Sequence, residues 1–154
     1  MLALDILGRT EAIILPDIAE STTYARIDTG AKTSAIWVSS CTLTKDGLDV
    51  VFFGQGSPLY SGKTMRFAEY GQTIVASSIG KAQQRYKIRL RIVVGGRKIR
   101  AWFTLADRST QVYPVLIGRN VLHGKFMVDV TRFSQALQSK EQARTAALKK
   151  EIEA

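Results

Sequence analysis

The chain is poor in the residues from which disulfides and metal centres are built. Cys41 is its only cysteine and His123 its only histidine. One cysteine excludes an internal disulfide, and the two residues together supply too few soft ligands for a structural or catalytic zinc site. A nucleophilic Cys–His pair would require these two distant residues to meet through long-range folding. The sequence therefore predicts no bound metal and no other cofactor.

Long hydrophobic runs are missing as well. None approaches the roughly 18 apolar residues that are needed to cross a bilayer. The first five residues have no basic side chain and include Asp5, unlike the start of a signal peptide. Phosphate-binding loops of the Walker and dinucleotide types are also absent, because Gly54-Gln55-Gly56 lacks the further glycine and a predicted helix after it. We therefore expect a cytoplasmic protein that has no membrane partner.

Positive charge is what the chain has in excess. Its 154 residues, 45% apolar and 23% charged, are typical of one soluble domain. The net charge is +9, and residues 81–132 alone hold twelve basic and two acidic side chains, a net charge of +10. Such a segment attracts polyanions, which include nucleic acid, acidic protein tails and anionic surfaces. A solvated basic face without a partner is the alternative interpretation.

The hydrophobic pattern predicts mainly β-structure. Alternating or continuous apolar runs indicate strands at residues 11–15, 24–27, 86–94, 98–105, 112–117 and 126–130, and a hairpin over 42–53 that bends at 45–47. The run 112–117 is nearly continuous, which predicts burial on both faces. One helical turn is expected over 119–123. From residue 134 the composition shifts to Ala, Gln, Lys and Glu, which favours a C-terminal helix with only a thin apolar stripe.

One short motif carries possible chemistry. Asp28-Thr29-Gly30-Ala31 follows directly after the predicted strand 24–27. By itself such a motif is equally typical of a tight turn after a strand. About ninety residues later, however, the chain reads Val-Leu-Ile-Gly-Arg-Asn-Val-Leu over 115–122. An aspartic protease packs a segment of this kind beside its catalytic loop: two apolar residues, a glycine, Arg-Asn and an apolar turn.

On these two stretches the chain resembles the retropepsins. It is most similar to the bacterial retropepsin-like peptidases that are labelled "ATP-dependent zinc proteases" and are associated with RimK-type glutamate ligases. The similar stretches are 8–16, 25–36, 105–108, 113–122 and 126–130. The resemblance implies an all-β, retropepsin-like closed barrel over residues 1–133, with one lobe per chain, and a C-terminal helical tail over 134–154. The residues themselves give no support to the zinc of that label.

The resemblance also implies a catalytic dyad that one chain cannot complete. Peptide hydrolysis without a metal or a covalent intermediate needs a base that activates water and an acid that protonates the leaving amine. Two carboxylates that share one proton supply both. Only one Asp-Thr-Gly is present, so we expect a two-fold homodimer in which Asp28 meets Asp28 of the partner. Thr29 would tie the two loops together, and Gly30 would permit the turn.

Further site residues follow from the same resemblance. A hairpin flap is expected over 75–80. Ile117, Gly118, Arg119 and Asn120 would support the catalytic loop. Many retroviral enzymes carry an acid two residues after the motif glycine, where this chain has Lys32, so the pairing partner of Arg119 is in question. The residues expected to contact substrate are Ala31, Lys32, Ser77, Ser78, Ile79, Gly80, Arg85 and Arg108.

Lys32 and the basic segment together favour an acidic substrate, and the association with glutamate ligases favours glutamate-rich or poly-glutamylated protein tails, with a ligase as a possible partner.

Two other functions stay open. One is a non-catalytic module of the same fold that binds acidic peptides. The other is a nucleic-acid-binding domain, which is less favoured because Tyr86 and Trp102 are the only obvious aromatic residues placed to stack on bases.

Overall fold

Short alternating apolar runs make this chain fold mainly into β-strands. The computed structural model describes residues 3–76, 79–133 and 135–153, and of residues 135–138 only the backbone. Within this described part there are eleven strands and two helices. They are β1 (Asp5–Leu7), β2 (Thr10–Leu15), β3 (Ala19–Ile27), β4 (Ser34–Thr44), β5 (Gly47–Phe52), β6 (Thr64–Phe67), β7 (Tyr70–Ala76), β8 (Ala82–Val94), β9 (Arg97–Ala106), β10 (Val115–Ile117), α1 (Arg119–Leu122), β11 (Phe126–Val128) and α2 (Gln135–Glu153).

Six strands close into a barrel. Their order is β10-β3-β2-β8-β9-β4, and β4 pairs with β10 to complete the ring. The short strand β10 is the closing element: Val115 lies opposite Ala25 in a parallel pairing with β3 and opposite Ile36 in an antiparallel pairing with β4. Closure leaves none of these six strands as an open sheet edge. The predicted all-β closed barrel with a C-terminal helix is therefore confirmed.

The barrel interior is filled by the inward faces of the long strands. In the β8–β9 hairpin Leu90 lies opposite Ala101 and Ile88 opposite Phe103, and all four side chains are buried. The predicted alternation over 86–94 and 98–105 is thus confirmed, because side chains alternate between the two faces of a strand. The buried cluster continues into β2, β3, β4, β5 and β10.

Three strands were not predicted from the sequence, because each is short or has few alternating apolar residues. Strand β1 has three residues and pairs in parallel with β11, forming a separate two-stranded sheet. Strand β6 adds to the outer edge of β5. Strand β7 pairs with β8 over seven residues, but its side chains are only half-buried or exposed. Exposed strands of this kind lack the apolar alternation on which sequence reading depends.

Two predicted strands are shorter than expected. The strand predicted over 112–117 begins only at Val115, since Pro114 has no N–H to donate and its carbonyl instead accepts from the Trp37 backbone N–H (2.9 Å). Leu116 is half-buried, so burial on both faces was also wrong. The strand predicted over 126–130 ends at Val128, because the Asp129 carboxylate accepts from the Thr131 backbone N–H (2.9 Å) and turns the chain.

Both predicted helical segments are present. Helix α1 ends at Leu122, with His123 as its C-terminal cap. Helix α2 carries few apolar residues, and those described near its C-terminal end, Leu148 and Ile152, are exposed. No helix among the described residues is both long enough and apolar enough to span a membrane.

Gly118 is where β10 and the loop after β3 come closest. A Cβ atom at this position would lie 2.2 Å from the Thr33 carbonyl oxygen and 2.8 Å from that of Ala31. We expect Gly118→Ala to lower the free energy of unfolding by about 3 kcal/mol, because backbone atoms must move to admit the methyl group. Urea denaturation measures this loss.

Gly96→Ala is the matched control for that substitution. Its methyl group would meet nothing within 4 Å, but its φ of +77° disfavours any side chain. The expected loss there is about 1 kcal/mol. A loss for Gly118→Ala no larger than that of the control would contradict the close packing.

Candidate active site

The Asp28 loop connects β3 to β4 and is held by backbone hydrogen bonds. The Asp28 N–H donates to the Ile117 carbonyl (2.8 Å), which continues the β3–β10 pairing into the loop. Asp28 Oδ1 accepts from the Gly30 N–H (2.9 Å), and the Asp28 carbonyl accepts from the Ala31 N–H (3.2 Å). Asp28 is half-buried, whereas Thr29 and Gly30 are exposed. The loop therefore fixes a carboxylate at the surface of the barrel.

Arg119 holds this loop by hydrogen bonds to its backbone oxygens. Its Nη1 donates to the carbonyls of Thr29 (3.2 Å) and Gly30 (3.1 Å), and its backbone N–H donates to the Ala31 carbonyl (2.8 Å). Lys32, which stands where many retroviral enzymes have an acid, is exposed. The Arg119 guanidinium thus binds backbone oxygens of the Asp28 loop, a role that needs no acidic side chain at position 32.

A buried hydroxyl joins the supporting residues. Ser34 Oγ donates to Asn120 Oδ1 (2.7 Å) and accepts from the Gly118 N–H (3.0 Å), and Asn120 Nδ2 donates to the Trp102 carbonyl (2.9 Å). Ser34 is completely buried, so these bonds satisfy a polar group that would otherwise be costly to bury. Sequence reading missed its role. The available signal was a serine directly before the apolar run of β4.

Asp28 and Thr29 open into a cleft of 220 Å³. Its other lining residues are Arg9, Thr10, Arg26, Ile27, Tyr113, Val130, Phe133 and Glu141. Arg26 precedes Asp28 by two residues on the exposed face of β3, which the alternation of that strand indicates. Arg9, Tyr113 and Glu141 come from distant parts of the chain, so sequence reading did not select them.

The predicted Arg108 lies close to this cleft. Its Nε donates to the Tyr113 carbonyl (3.0 Å). Burial lowers the pKa of the Arg108 guanidinium, the positive charges of Arg26 and Arg85 lower it further, and the negative charge of Asp28 opposes them. An arginine stays protonated under these conditions. The structure therefore gathers positive charge beside Asp28.

The predicted flap falls on the β7–β8 hairpin. Ala76 lies opposite Ala82 at the end of the pairing between β7 and β8. Ser77 and Ser78 lie outside the described residues. Ile79 is 76% exposed and Gly80 adopts a φ of +81°, a conformation that favours glycine. Arg85, farther along β8, lines a separate cleft of 360 Å³ with Cys41, Leu105 and Asp107.

Other chemistries find little support in the described residues. Burial raises the pKa of the Cys41 thiol, which disfavours the nucleophilic thiolate, and His123 is exposed at the end of α1. The described part of the chain contains no group of three or more His, Cys, Asp or Glu side chains placed to hold a metal ion. A further cleft of 380 Å³ between β3, Trp37 and the loop 55–59 has Lys140 as its one charged lining residue, so it offers no acid–base pair.

Comparison with solved structures supports the fold. A protein of unknown function from Legionella pneumophila superposes with a TM-score of 0.64 over 86% of this chain and 98% of that protein, at 22% sequence identity. At this level of identity the likeness concerns the fold alone.

Comparison with curated proteins finds relatives that are much longer. A "probable alpha-L-glutamate ligase" of Shewanella pealeana is 28% identical over 129 residues, which are 80% of this chain. A protein of the same name from Desulfotalea psychrophila is 26% identical over 132 residues, or 83% of this chain. The chain spans about 28% of the length of these relatives.

A family model, described as "Retropepsin-like aspartic endopeptidase RimB", matches residues 6–140. This match includes every barrel strand, the Asp28 loop and its support by Arg119 and Asn120. The chain therefore belongs to the RimB-like family of retropepsin-like aspartic endopeptidases.

Proposed function

We propose that the chain is an aspartic endopeptidase that acts as a homodimer, with one Asp28 from each subunit in the catalytic dyad. The observation that carries this proposal is the Asp28 loop: a single carboxylate, half-buried beside an exposed Thr29, fixed by β10 and by Arg119 from beneath. One carboxylate of this kind cannot be acid and base at once. A second copy of the same loop supplies the missing group.

The physical reason for a pair is charge repulsion. Two carboxylates about 4 Å apart repel by roughly 4 kcal/mol at an effective dielectric near 20. That repulsion separates the two proton dissociations by about three pH units, as the aspartic proteases illustrate. Over this range the pair holds one proton, so one carboxylate activates the water while the other protonates the carbonyl oxygen and the leaving amine.

A surface suited to pairing of two copies adjoins the loop. The exposed apolar residues Leu4, Ile6 and Met127 lie in or next to the β1–β11 sheet. Val130 and Phe133 follow in the chain and line the same cleft as Asp28. Because Val130 and Phe133 lie beside the carboxylate, a two-fold contact that includes them would bring the two Asp28 loops together.

The substrate that we propose is an acidic or poly-glutamylated protein tail. Arg9 and Arg26 line the Asp28 cleft, the charge of Asp28 acts on the nearby Arg108, and Lys32 is exposed beside the loop. Elsewhere the basic segment is partly neutralised, since Arg91 pairs with Asp17 (2.7 Å). The ligase names of the longer relatives agree with this substrate class, and we propose a glutamate ligase as a partner of the chain.

The binding-module alternative keeps the same cleft without turnover. The nucleic-acid alternative is weaker because its stacking platforms are already engaged. Lys87 Nζ and the Arg89 guanidinium lie 5.1 Å and 5.0 Å from the centre of the Trp102 ring, and Tyr86 packs edge-on against Tyr70. A ring covered by cationic side chains offers little free surface for a base.

Removal of the carboxylate charge distinguishes enzyme from binding module. We expect Asp28→Asn to reduce cleavage of a glutamate-tailed peptide by about a thousandfold or more, because the dyad loses its general base. Mass spectrometry of the products at several pH values measures this. Asp46→Asn, in the exposed β4–β5 turn, is the matched control and should cut normally. Equal cutting by the wild-type chain and by Asp28→Asn would place the activity elsewhere. If both proteins bind the peptide and neither cuts it, the binding module is favoured.

The dimer is tested by mass in solution. Light scattering in the presence of the glutamate-tailed peptide should give twice the 17.0 kDa of the chain. Met127→Lys should shift the protein to monomer and abolish cleavage, since it buries an unpaired charge in the proposed interface. Ile152→Lys, at an 84% exposed position of α2, should change neither. An active monomer at saturating substrate would disprove the dyad.

Charge selectivity is tested by paired peptides. At low salt we expect a glutamate-tailed peptide to be cut at least about tenfold faster than its lysine-tailed counterpart, because the cleft is positive. The ratio should fall as ionic strength rises towards 0.5 M, where screening is effective over roughly 4–5 Å. Equal rates at low salt would contradict an acidic substrate.

A further inference from the structure

The chain places one of its own carboxylates in the Asp28 cleft. Glu141 belongs to α2, is half-buried, and lines the cleft together with Asp28, Arg9, Arg26 and Tyr113. Helix α2 thus reaches the cleft into which the Asp28 loop opens. A glutamate side chain at that place resembles the side chain of the proposed substrate.

Tyr113 gives this cleft a buried hydroxyl that Glu141 approaches. Tyr113 is 3% exposed, and within the part of the chain that the structure describes its hydroxyl has no partner at full hydrogen-bonding geometry. Burial, and then the charge of the Glu141 carboxylate and its loose hydrogen-bonding contact with the hydroxyl, raise the pKa of Tyr113 to about 12. The phenol therefore remains protonated at neutral pH. A buried hydroxyl without an acceptor is costly, and a carboxylate oxygen would satisfy it.

Two arginines supply the charge that a carboxylate needs. Arg9 precedes β2 and its guanidinium lies 4.1 Å from the centre of the Phe133 ring, while Arg26 lies on β3 opposite Thr10. Both act on Tyr113 electrostatically, opposing the rise in its pKa. Among residues 3–76, 79–133 and 135–153, neither arginine has a carboxylate oxygen within 4 Å. The cleft thus holds two cations and a buried donor, and Glu141 approaches them without forming a tight ion pair.

We propose that Arg9, Arg26 and Tyr113 form a carboxylate-binding subsite beside Asp28, which receives a glutamate side chain of the substrate, and that Glu141 occupies this subsite in the free chain. The proposal rests on the proposed function for the identity of the substrate. It adds the residues that select a glutamate next to the cleaved bond, and it makes α2 an internal competitor of the substrate.

The packing of α2 is consistent with its displacement. Leu148 and Ile152 are 41% and 84% exposed, so the second half of the helix buries little apolar surface against the barrel. Segments with few buried apolar contacts open at low free-energy cost. A glutamate-rich peptide therefore has to replace one half-buried carboxylate and a weakly packed helix in order to reach Asp28.

The test measures binding in the full-length Asp28→Asn background, so that its result does not depend on turnover. Fluorescence anisotropy follows a labelled peptide that ends in four glutamates. Adding Glu141→Gln should tighten binding about three- to fivefold, because the internal competitor loses its charge. Adding Arg26→Gln or Tyr113→Phe should weaken binding by about the same factor. Glu153→Gln, at the far end of α2, and Lys98→Gln, which lies outside the cleft, are the controls for loss of charge alone.

Several results would overturn the subsite. Unchanged or weaker binding after Glu141→Gln would show that this residue does not compete. Effects of the same size from Glu153→Gln or Lys98→Gln would show that only net charge matters, and absence of peptide binding in every variant would show that no such subsite exists. Cleavage by the wild-type chain together with any of these results would leave the proposed protease standing and remove the subsite.

Discussion

The contact between the Asp28 loop and the strand that closes the barrel is the constraint on which the rest of the structure depends. Strand β10 pairs with β3 on one side and with β4 on the other, and its last carbonyl accepts the N–H of Asp28. The fold therefore closes where the carboxylate is held. Gly118 and Ser34 lie at the same junction, because only a residue without a side chain and a small buried hydroxyl fit between these backbones.

The site that results is held by hydrogen bonds on its barrel side and is exposed on its outer side. Arg119 and Asn120 bind backbone carbonyls of the loop and of β9, which fixes the loop through its backbone oxygens rather than through the Asp28 carboxylate. The outer side has an exposed Thr29, exposed apolar residues of β1 and β11, and a cleft lined by basic residues. This arrangement agrees with membership of the RimB-like family and with the proposed catalysis by a pair of chains.

Positive charge in the chain has two different roles. Many basic residues of the segment 81–132 lie on the outer face of β8 and β9, where they pair with acids from other segments or cover Trp102. Those that gather near Asp28 include Arg9 and Arg26, which lie outside that segment in sequence. The charge count alone could not show which basic residues lie beside Asp28, because long-range pairing decides which cations remain available.

Sequence alone determined the barrel strands with strong alternation, the C-terminal helix, the Asp-Thr-Gly loop and its Gly-Arg-Asn support, since each of these is encoded in local periodicity or in a contiguous motif. It could not locate Ser34, Tyr113 or Glu141 at the site, nor the late start of β10 after Pro114. These features come from hydrogen bonds and packing between residues far apart in the chain. Only the tertiary structure decided them, because the sequence does not state which distant side chains share one cleft.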